Sequence, residues 1–402
     1  MIRVSPFLLL CVTGLLAIFS STLAKSPVLP LFADHLGADA AGIGLLAALG
    51  PLTGILGSIP AGLLADRYGR RRMLVIAAWI FATAPLLYLP ADSLLLLAIA
   101  RIYHGLATAI FMPVALALVT DLFRQGRGEK IGWFATATLA GRFVAPLSGG
   151  LLLANLALAP TAAFQTVYLV CFGGGLLSLL LALRIPETGK AAAKPPASSN
   201  KAMFNAFRRV VATPGILPAA LAEAAALFMY GAFETFLPGH VLAAGLSAGE
   251  AGFFISIQIM TLALTKPLMG KFSDRHGRNG QIFWGGLGGM SAMALLATAS
   301  SFWSLLGASI GIGLALAMVT AATTALIADL SRPEDRGAAM GLLSSIMDVG
   351  HATGPLVAGF VALYYGLPAA LLTAAAILGV ATLLFRLAAR PEPARAGQQP
   401  DP

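Results

Sequence analysis

The chain has 402 residues, of which 58% are hydrophobic and 11% charged, less than half of the roughly 25% charged share of soluble domains. A water-soluble globular protein is excluded. Its net charge of +9 comes from lysines and arginines scattered through short loops between apolar runs, the pattern of a membrane topology signal and not of a nucleic-acid partner.

Apolar stretches of about 20 residues are long enough to cross a bilayer as helices. Twelve are predicted in chain order: 7–31, 41–63, 73–91, 95–120, 131–154, 163–183, 214–238, 250–271, 281–300, 303–328, 338–364 and 367–386. Cys11 and Cys171 fall inside such runs, where a thiol behaves as a small hydrophobe, and imply no disulfide framework. The start, Met1 to Ala24, has the look of a secretory signal. However, Leu29-Pro30 with Gly37 recurs as Leu237-Pro238 with Gly245, so the first run is read as a mature helix paired with the seventh.

Outside the spans, every lysine and arginine falls at the N-terminus, in the even-to-odd loops or in the C-terminal tail. The opposite loops carry Asp34, Asp39, Asp92 and Glu250. By the positive-inside rule both termini are cytoplasmic. Residues 186–212, rich in Ala, Pro, Ser and Lys, read as a linker. Phe204, Phe207 and Val211 beside Arg208 and Arg209 fit a short helix on the inner membrane surface. The predicted organisation is a bundle over 1–185, a cytoplasmic linker over 186–212, a second bundle over 213–389 and a disordered tail over 390–402. No soluble segment is long enough for a separate catalytic or signalling domain.

One motif occurs twice. Gly62-Leu63-Leu64-Ala65-Asp66-Arg67-Tyr68-Gly69-Arg70-Arg71 returns 208 residues later as Gly270-Lys271-Phe272-Ser273-Asp274-Arg275-His276-Gly277-Arg278. The same offset, or one residue more, matches Asp121 with Asp329, and Gly141 and Pro146 with Gly350 and Pro355. The fold class is therefore an all-α integral membrane protein, its twelve transmembrane helices arranged as two pseudo-symmetric six-helix bundles around a central site. On these residues the chain resembles the major facilitator superfamily over all of its spans. Arg101-Ile102-Tyr103-His104-Gly105 is similar to that family's second motif. Gly141-Arg142-Phe143-Val144-Ala145-Pro146-Leu147-Ser148-Gly149-Gly150 resembles the antiporter motif of its drug/proton exporters, departing at Ala145, where glycine is usual.

Each motif has a physical rationale. Gly69 and Gly277 permit tight reversals, and Asp66 or Asp274 can accept hydrogen bonds from the amides of a neighbouring helix start. The resemblance implies a conformational latch made of Gly62, Asp66, Arg67, Gly69, Arg70, Asp121, Gly270, Asp274, Arg275, Gly277 and Arg278. In it Asp66 would face the start of span 11 and the arginines would meet Asp121. In span 5, Gly141, Ala145 and Gly149 line one face and let another helix come close, Pro146 bends the span, and Gly150 completes the motif. From spacing alone this face is equally plain packing; the resemblance tips it toward exchange.

Ionisable residues inside lipid-embedded spans are costly and are functional candidates by default. They are Lys25, Arg101, His104, Arg142, Glu223, Glu234, Lys266, Asp348 and His351. Lys25 and Glu234 stand at nearly the same depth before Pro30 and Pro238, so an ion pair between them is geometrically plausible; snorkelling is the alternative for Lys25 and the better reading of Lys266. Arg101 and Arg142 lie too deep to snorkel. His104 and Glu223 also suit plain structural roles within a bundle. Carboxyls in a dry cavity are natural proton carriers, which nominates Glu234, Glu223 and Asp348.

The function expected is secondary active transport by alternating access: proton-coupled efflux of a small amphipathic organic molecule across the inner membrane. Lys25, Arg101, Arg142 and Lys266 outnumber the three carboxylates, which admits an anionic substrate. Import or exchange of an organic anion is the alternative, and a non-transporting receptor is the alternative of another class. No enzyme constellation, metal site or cofactor is expected. The partners are substrate, protons and lipid bilayer, without nucleic acid, and the chain is expected to be a monomer.

Overall fold

The computed structural model describes residues 5–123, 125–187, 207–332 and 334–389. The tail from Arg390 and most of the 186–212 linker, including Phe204, lie outside the described residues, as does the side chain of Asp66. What is described is helical throughout. In chain order the helices are α1 (Pro6–Lys25), α2 (Val28–His35), α3 (Ala40–Tyr68), α4 (Arg70–Tyr88), α5 (Leu94–Leu122), α6 (Arg127–Asn155), α7 (Pro160–Ala182), a short α8 (207–212), α9 (Ile216–Ala243), α10 (Ala248–His276), α11 (Arg278–Thr298), α12 (Phe302–Leu330), α13 (Arg336–Tyr365) and α14 (Leu367–Ala388).

Local chemistry sets the helix ends. Pro6 and Pro160 open α1 and α7 at a position where the missing N–H costs nothing. Ser247 with Glu250 caps α10, and Ser301 with Ser304 caps α12, each in a reciprocal box. Gly69 and Gly277, at φ 96° and 94°, make the sharp reversals within the two loop motifs. The first span, predicted as one helix over 7–31, is two: Pro27 offers no N–H to continue α1, and α2 resumes at Val28. Among the described residues eleven segments are long and apolar enough to cross a membrane. The remaining span is α11, of 21 residues, whose start carries Arg278, Asn279 and Gln281. It packs between α12 and α14 as α4 packs between α5 and α7.

The helices form two six-span bundles. In the first, α1 lies on α6 and α7, α3 on α5, and α4 on α5 and α7; in the second, α9 lies on α13 and α14, α10 on α12, and α11 on α12 and α14. Each bundle buries its own apolar clusters, around Phe81, Phe111 and Phe134 in one and Phe233, Phe254 and Met293 in the other. They meet where α3 crosses α13 and α6 crosses α10.

That seam is built from glycines facing carbonyls. A β-carbon on Gly44 would collide with the Pro355 carbonyl and one on Gly359 with that of Ala40; on the other side Gly252 faces the Pro146 carbonyl and Gly150 that of Ala248. Glycine is required because the backbones themselves touch. These contacts lie in the half of the molecule nearest Asp34, Asp39, Asp92 and Glu250. Burial in α10 runs from Gly249 to Ile259 and then stops, apart from Ser273, while Leu264, Leu268 and Phe272 toward the basic-loop end are exposed. The bundles are shut at the acidic-loop end and open toward the arginines.

Candidate functional site

Just below the glycine seam, Lys25 at the end of α1 places Nζ 2.6 Å from Glu234 Oε2 on α9. His351 Nε2 on α13 lies 3.3 Å from the same oxygen. Glu234 is 4% exposed, so its charge has to be met within the protein. The neighbouring packing fixes this meeting point. Gly350 and Gly354 of α13 sit against the Ala224 and Phe228 carbonyls of α9, and Gly231 of α9 sits against the His351 carbonyl, so the His351 backbone packs against α9 three residues before Glu234. Gly141 of α6 sits in the same way against the Leu15 carbonyl of α1. The Tyr230 ring lies 5.3 Å from the His351 ring. Lys25 comes from one bundle, and Glu234 with its second partner His351 from the other. Arg142, exposed on α6, and Arg101 lie within electrostatic reach of Lys25.

The other intramembrane candidates are dispersed. Arg101 is buried with its guanidinium packed into the space left by Gly50 on α3. His104 is buried edge-on to Phe81 and Tyr88 inside the first bundle, away from the seam. Glu223 is fully buried eleven residues before Glu234 and accepts a 2.5 Å hydrogen bond from the Thr323 hydroxyl on α12. Asp348 is exposed on α13, three residues before His351. Lys266 is exposed on α10 and is an electrostatic neighbour of Glu223.

At the opposite end, Arg70 Nη1 lies 2.6 Å from Asp121 Oδ2 and donates to the Ala117 carbonyl. The repeat reproduces the pairing: Arg278 Nε lies 2.7 Å from Asp329 Oδ2, and its Nη2 lies 3.2 Å from Asp274 Oδ1. Arg67 stacks over the neighbouring Tyr68, and Arg275 is exposed. Gly270 has open space where a β-carbon would lie. In the span-5 motif Gly149 packs against Leu23 and Val28, Gly150 against α10, and Ala145 and Pro146 are buried.

Sequence reasoning missed Gly44, Gly252 and Gly359 at the seam, and it missed Ser256. The Ser256 hydroxyl donates to the Phe143 carbonyl at 2.7 Å and accepts from the Leu147 amide at 3.1 Å, inserting itself into the α6 ladder beside Pro146. The signal was available: the repeat offset maps Gly44 onto Gly252 and Gly150 onto Gly359. Among the described residues no group of three or more His, Cys, Asp or Glu side chains could hold a metal ion.

The sequence profile of the Major Facilitator Superfamily matches residues 10–257 and again 220–402. Multidrug resistance protein 1 of Bacillus subtilis is 25% identical over 339 residues, covering 83% of this chain and 84% of that protein. The quinolone resistance protein NorA of Staphylococcus aureus strain MRSA252 is 22% identical over 341 residues, with 83% and 84% covered. Among solved structures, a bacterial homolog of the human lysosomal transporter Spinster, in an inward-facing and occupied conformation, superposes with a TM-score of 0.82 at 18% identity, covering 95% of this chain and 96% of that one. A mutant of the nucleoside transporter NupG also superposes with a TM-score of 0.82, at 16% identity, with 96% and 100% covered.

Proposed function

This chain belongs to the major facilitator superfamily, and from that premise we propose that it is a proton-coupled exporter of small amphipathic organic molecules, working by alternating access in the inner membrane with both termini cytoplasmic. It is a multi-pass transporter and not an enzyme. Efflux is supported by the drug-resistance relatives, and orientation by the placement of the lysines and arginines. With the basic loops inside, the shut glycine seam faces outward and the structure is inward-facing.

The observation that carries the coupling reading is the Lys25–Glu234 pair with His351 on the same carboxylate oxygen. In this state the carboxylate ties α1 of one bundle to α9 and α13 of the other. A proton arriving on Glu234 removes the charge that holds Lys25, and a substrate carrying an acidic group competes for the same ammonium. Either event changes the relative free energy of the two states, which is what coupling requires. Arg142 and Arg101 near this pair give the site a surplus of positive charge, which favours a substrate with a carboxylate or a similar anionic group.

The test is flux in proteoliposomes under an imposed pH gradient, using anionic, neutral and cationic amphipaths. Wild type is expected to drive an anionic compound outward against the proton flow, and Glu234→Gln to lose the response to the gradient. If neutral and cationic compounds move equally in wild type and Lys25→Ala, the acidic-substrate reading fails. Reversed flux identifies an importer, and absence of any flux identifies a non-transporting protein.

A further inference from the structure

A cavity of about 620 Å³ opens on the far side of the glycine seam from the opening between the bundles. It belongs to neither the central ion pair nor the arginine loops. One wall is α2 and the start of α3, from the first bundle; the other is the second half of α9 with Ala362 of α13 and Leu367 of α14, from the second. Its size falls within the range of sites for drug-sized ligands.

The lining has a definite chemical polarity. Asp34 and Asp39 stand on the first-bundle wall, and no lysine or arginine among the described residues lines the cavity. Asp39 Oδ1 accepts the Gly42 amide at 2.7 Å as the cap of α3, which fixes that carboxylate in place. Opposite stand Phe236, Leu242 and Leu367, with Leu31 and Ile43 beside the acids. Thr235 is 6% exposed and lines the same cavity. Its hydroxyl is not among the buried unpartnered atoms; it opens on the cavity, where an occupant can pair with it in place of water. Two carboxylates on one side, one of them fixed as a helix cap, an apolar and aromatic wall on the other, and a hydroxyl opening on the space between match one ligand class.

We propose that this cavity is a second binding site, for an organic cation with an apolar body, such as an aryl-substituted ammonium. Occupancy holds the acidic-loop end shut, because the ligand bridges walls that must separate when that end opens. The site thus differs in charge preference from the central pair below it: Thr235 adjoins Glu234 in sequence, but its cavity contains acids where the centre is rich in cations. That it faces the external medium rests on the orientation proposed above.

The experiment uses the purified full chain in detergent micelles, with a membrane-impermeant benzyl-trialkylammonium probe titrated by calorimetry, so that binding is read independently of flux and of orientation. Wild type is expected to bind, and the double variant Asp34→Asn with Asp39→Asn to bind about tenfold more weakly. Asparagine retains the α3 cap, so the double variant is expected to melt like wild type. Ala362→Phe, which fills the cavity without changing its charge, is expected to abolish binding. No binding by wild type, or equal affinity in all three proteins, overturns the proposal. In proteoliposomes the probe is then expected to slow transport from the acidic-loop side only. Inhibition from the basic-loop side that survives the double variant also overturns it. Inhibition lost in the double variant but seen only from the cytoplasmic compartment overturns the orientation and leaves the site standing.

Discussion

Replacing Gly252 by alanine tests the glycine seam as a gate. The added β-carbon would lie 2.9 Å from the Pro146 carbonyl carbon and 3.2 Å from the Gly150 α-carbon, with the carbonyl oxygen nearer still. All of these are backbone atoms, which no rotamer change can move, so α10 and α6 have to part. Overpacking of this kind costs about 1–3 kcal/mol. The contact is made across the bundles, only where the acidic-loop end is shut, so the cost falls on the shut state and is relieved when that end opens. The equilibrium between states therefore shifts toward the open form by roughly fivefold to 150-fold. Asp92 and Ser300 are exposed at this end, one on each bundle, and the native thiols Cys11 and Cys171 are buried. Spin labels at Asp92→Cys and Ser300→Cys, in a background with both native cysteines replaced, report the opening as a longer distance population. Gly44→Ala, the repeat-related position facing the Pro355 carbonyl, is expected to act in the same direction. A distance distribution unchanged by both substitutions would refute the reasoning, because the seam would then tolerate a methyl group where the backbones touch.

Two further outcomes follow from the same geometry. Ser256→Ala removes two hydrogen bonds that cross from α10 to α6, but Phe143 and Leu147 can then close their own helical bond, so the loss is about 0.5–1.5 kcal/mol and the spin-label shift has the same sign as for Gly252→Ala but is smaller. Arg209, on α8, donates two hydrogen bonds to Asp335 at 2.6 and 3.0 Å, and these hold the Asp335 carboxyl below the usual carboxylate range. A depressed value in the folded state means the tether's stabilisation is present above the ordinary aspartate value of about 3.9 and is lost only as pH falls through the folded value. Hydrogen exchange of 207–212 is expected to be flat across neutral pH apart from the intrinsic rate and to accelerate in acid, whereas Asp335→Asn accelerates it at neutral pH.

Much of this architecture was legible because a bilayer enforces it. Twenty apolar residues between basic and acidic loops have no alternative to a spanning helix, and the predicted runs coincide with the helices to within a few residues at most ends. The proximity of Lys25 and Glu234 could be anticipated because both are placed by the same landmark, a proline followed by Gly37 or Gly245; both glycines take positive φ, 82° and 80°. The break at Pro27 was not anticipated, since Pro51, Pro85 and Pro113 lie inside helices that continue, so a proline alone does not mark where a span restarts. The seam glycines stayed hidden for a different reason. With 44 glycines in the chain, composition does not separate the few that touch a backbone across the bundles from those that face open space, such as Gly173 and Gly288; only the repeat offset does. Ser256 was invisible for the same reason: one hydroxyl acquires meaning only when the α6 ladder is seen beside it.

The two halves keep their scaffold in common and differ in charge, and the division has a physical cause. Gly105 of α5 sits against Thr53 and the Gly50 carbonyl of α3; the repeat-related Gly313 of α12 sits against Thr261 and the Gln258 carbonyl of α10. The crossing is conserved between halves to the residue, as are the four seam contacts. The side chains it presents are not: Gly50 and Arg101 in one half correspond to Gln258 and Ser309 in the other. A small residue beside a large one has been exchanged for a large residue beside a small one, which preserves volume while moving the positive charge into one bundle only. Arg142 and His351 occupy equivalent places in the same way, and Lys25 finds its carboxylate on the other bundle. Under the alternating access proposed above, the two bundles rock as bodies, and matching backbones give both the same packing surfaces on which to meet. The coupling proposed above would need the reverse. A charge pair can report the distance between bundles only if its members belong to different ones, and under that proposal the symmetry of the seam is broken at Lys25, Glu234 and His351.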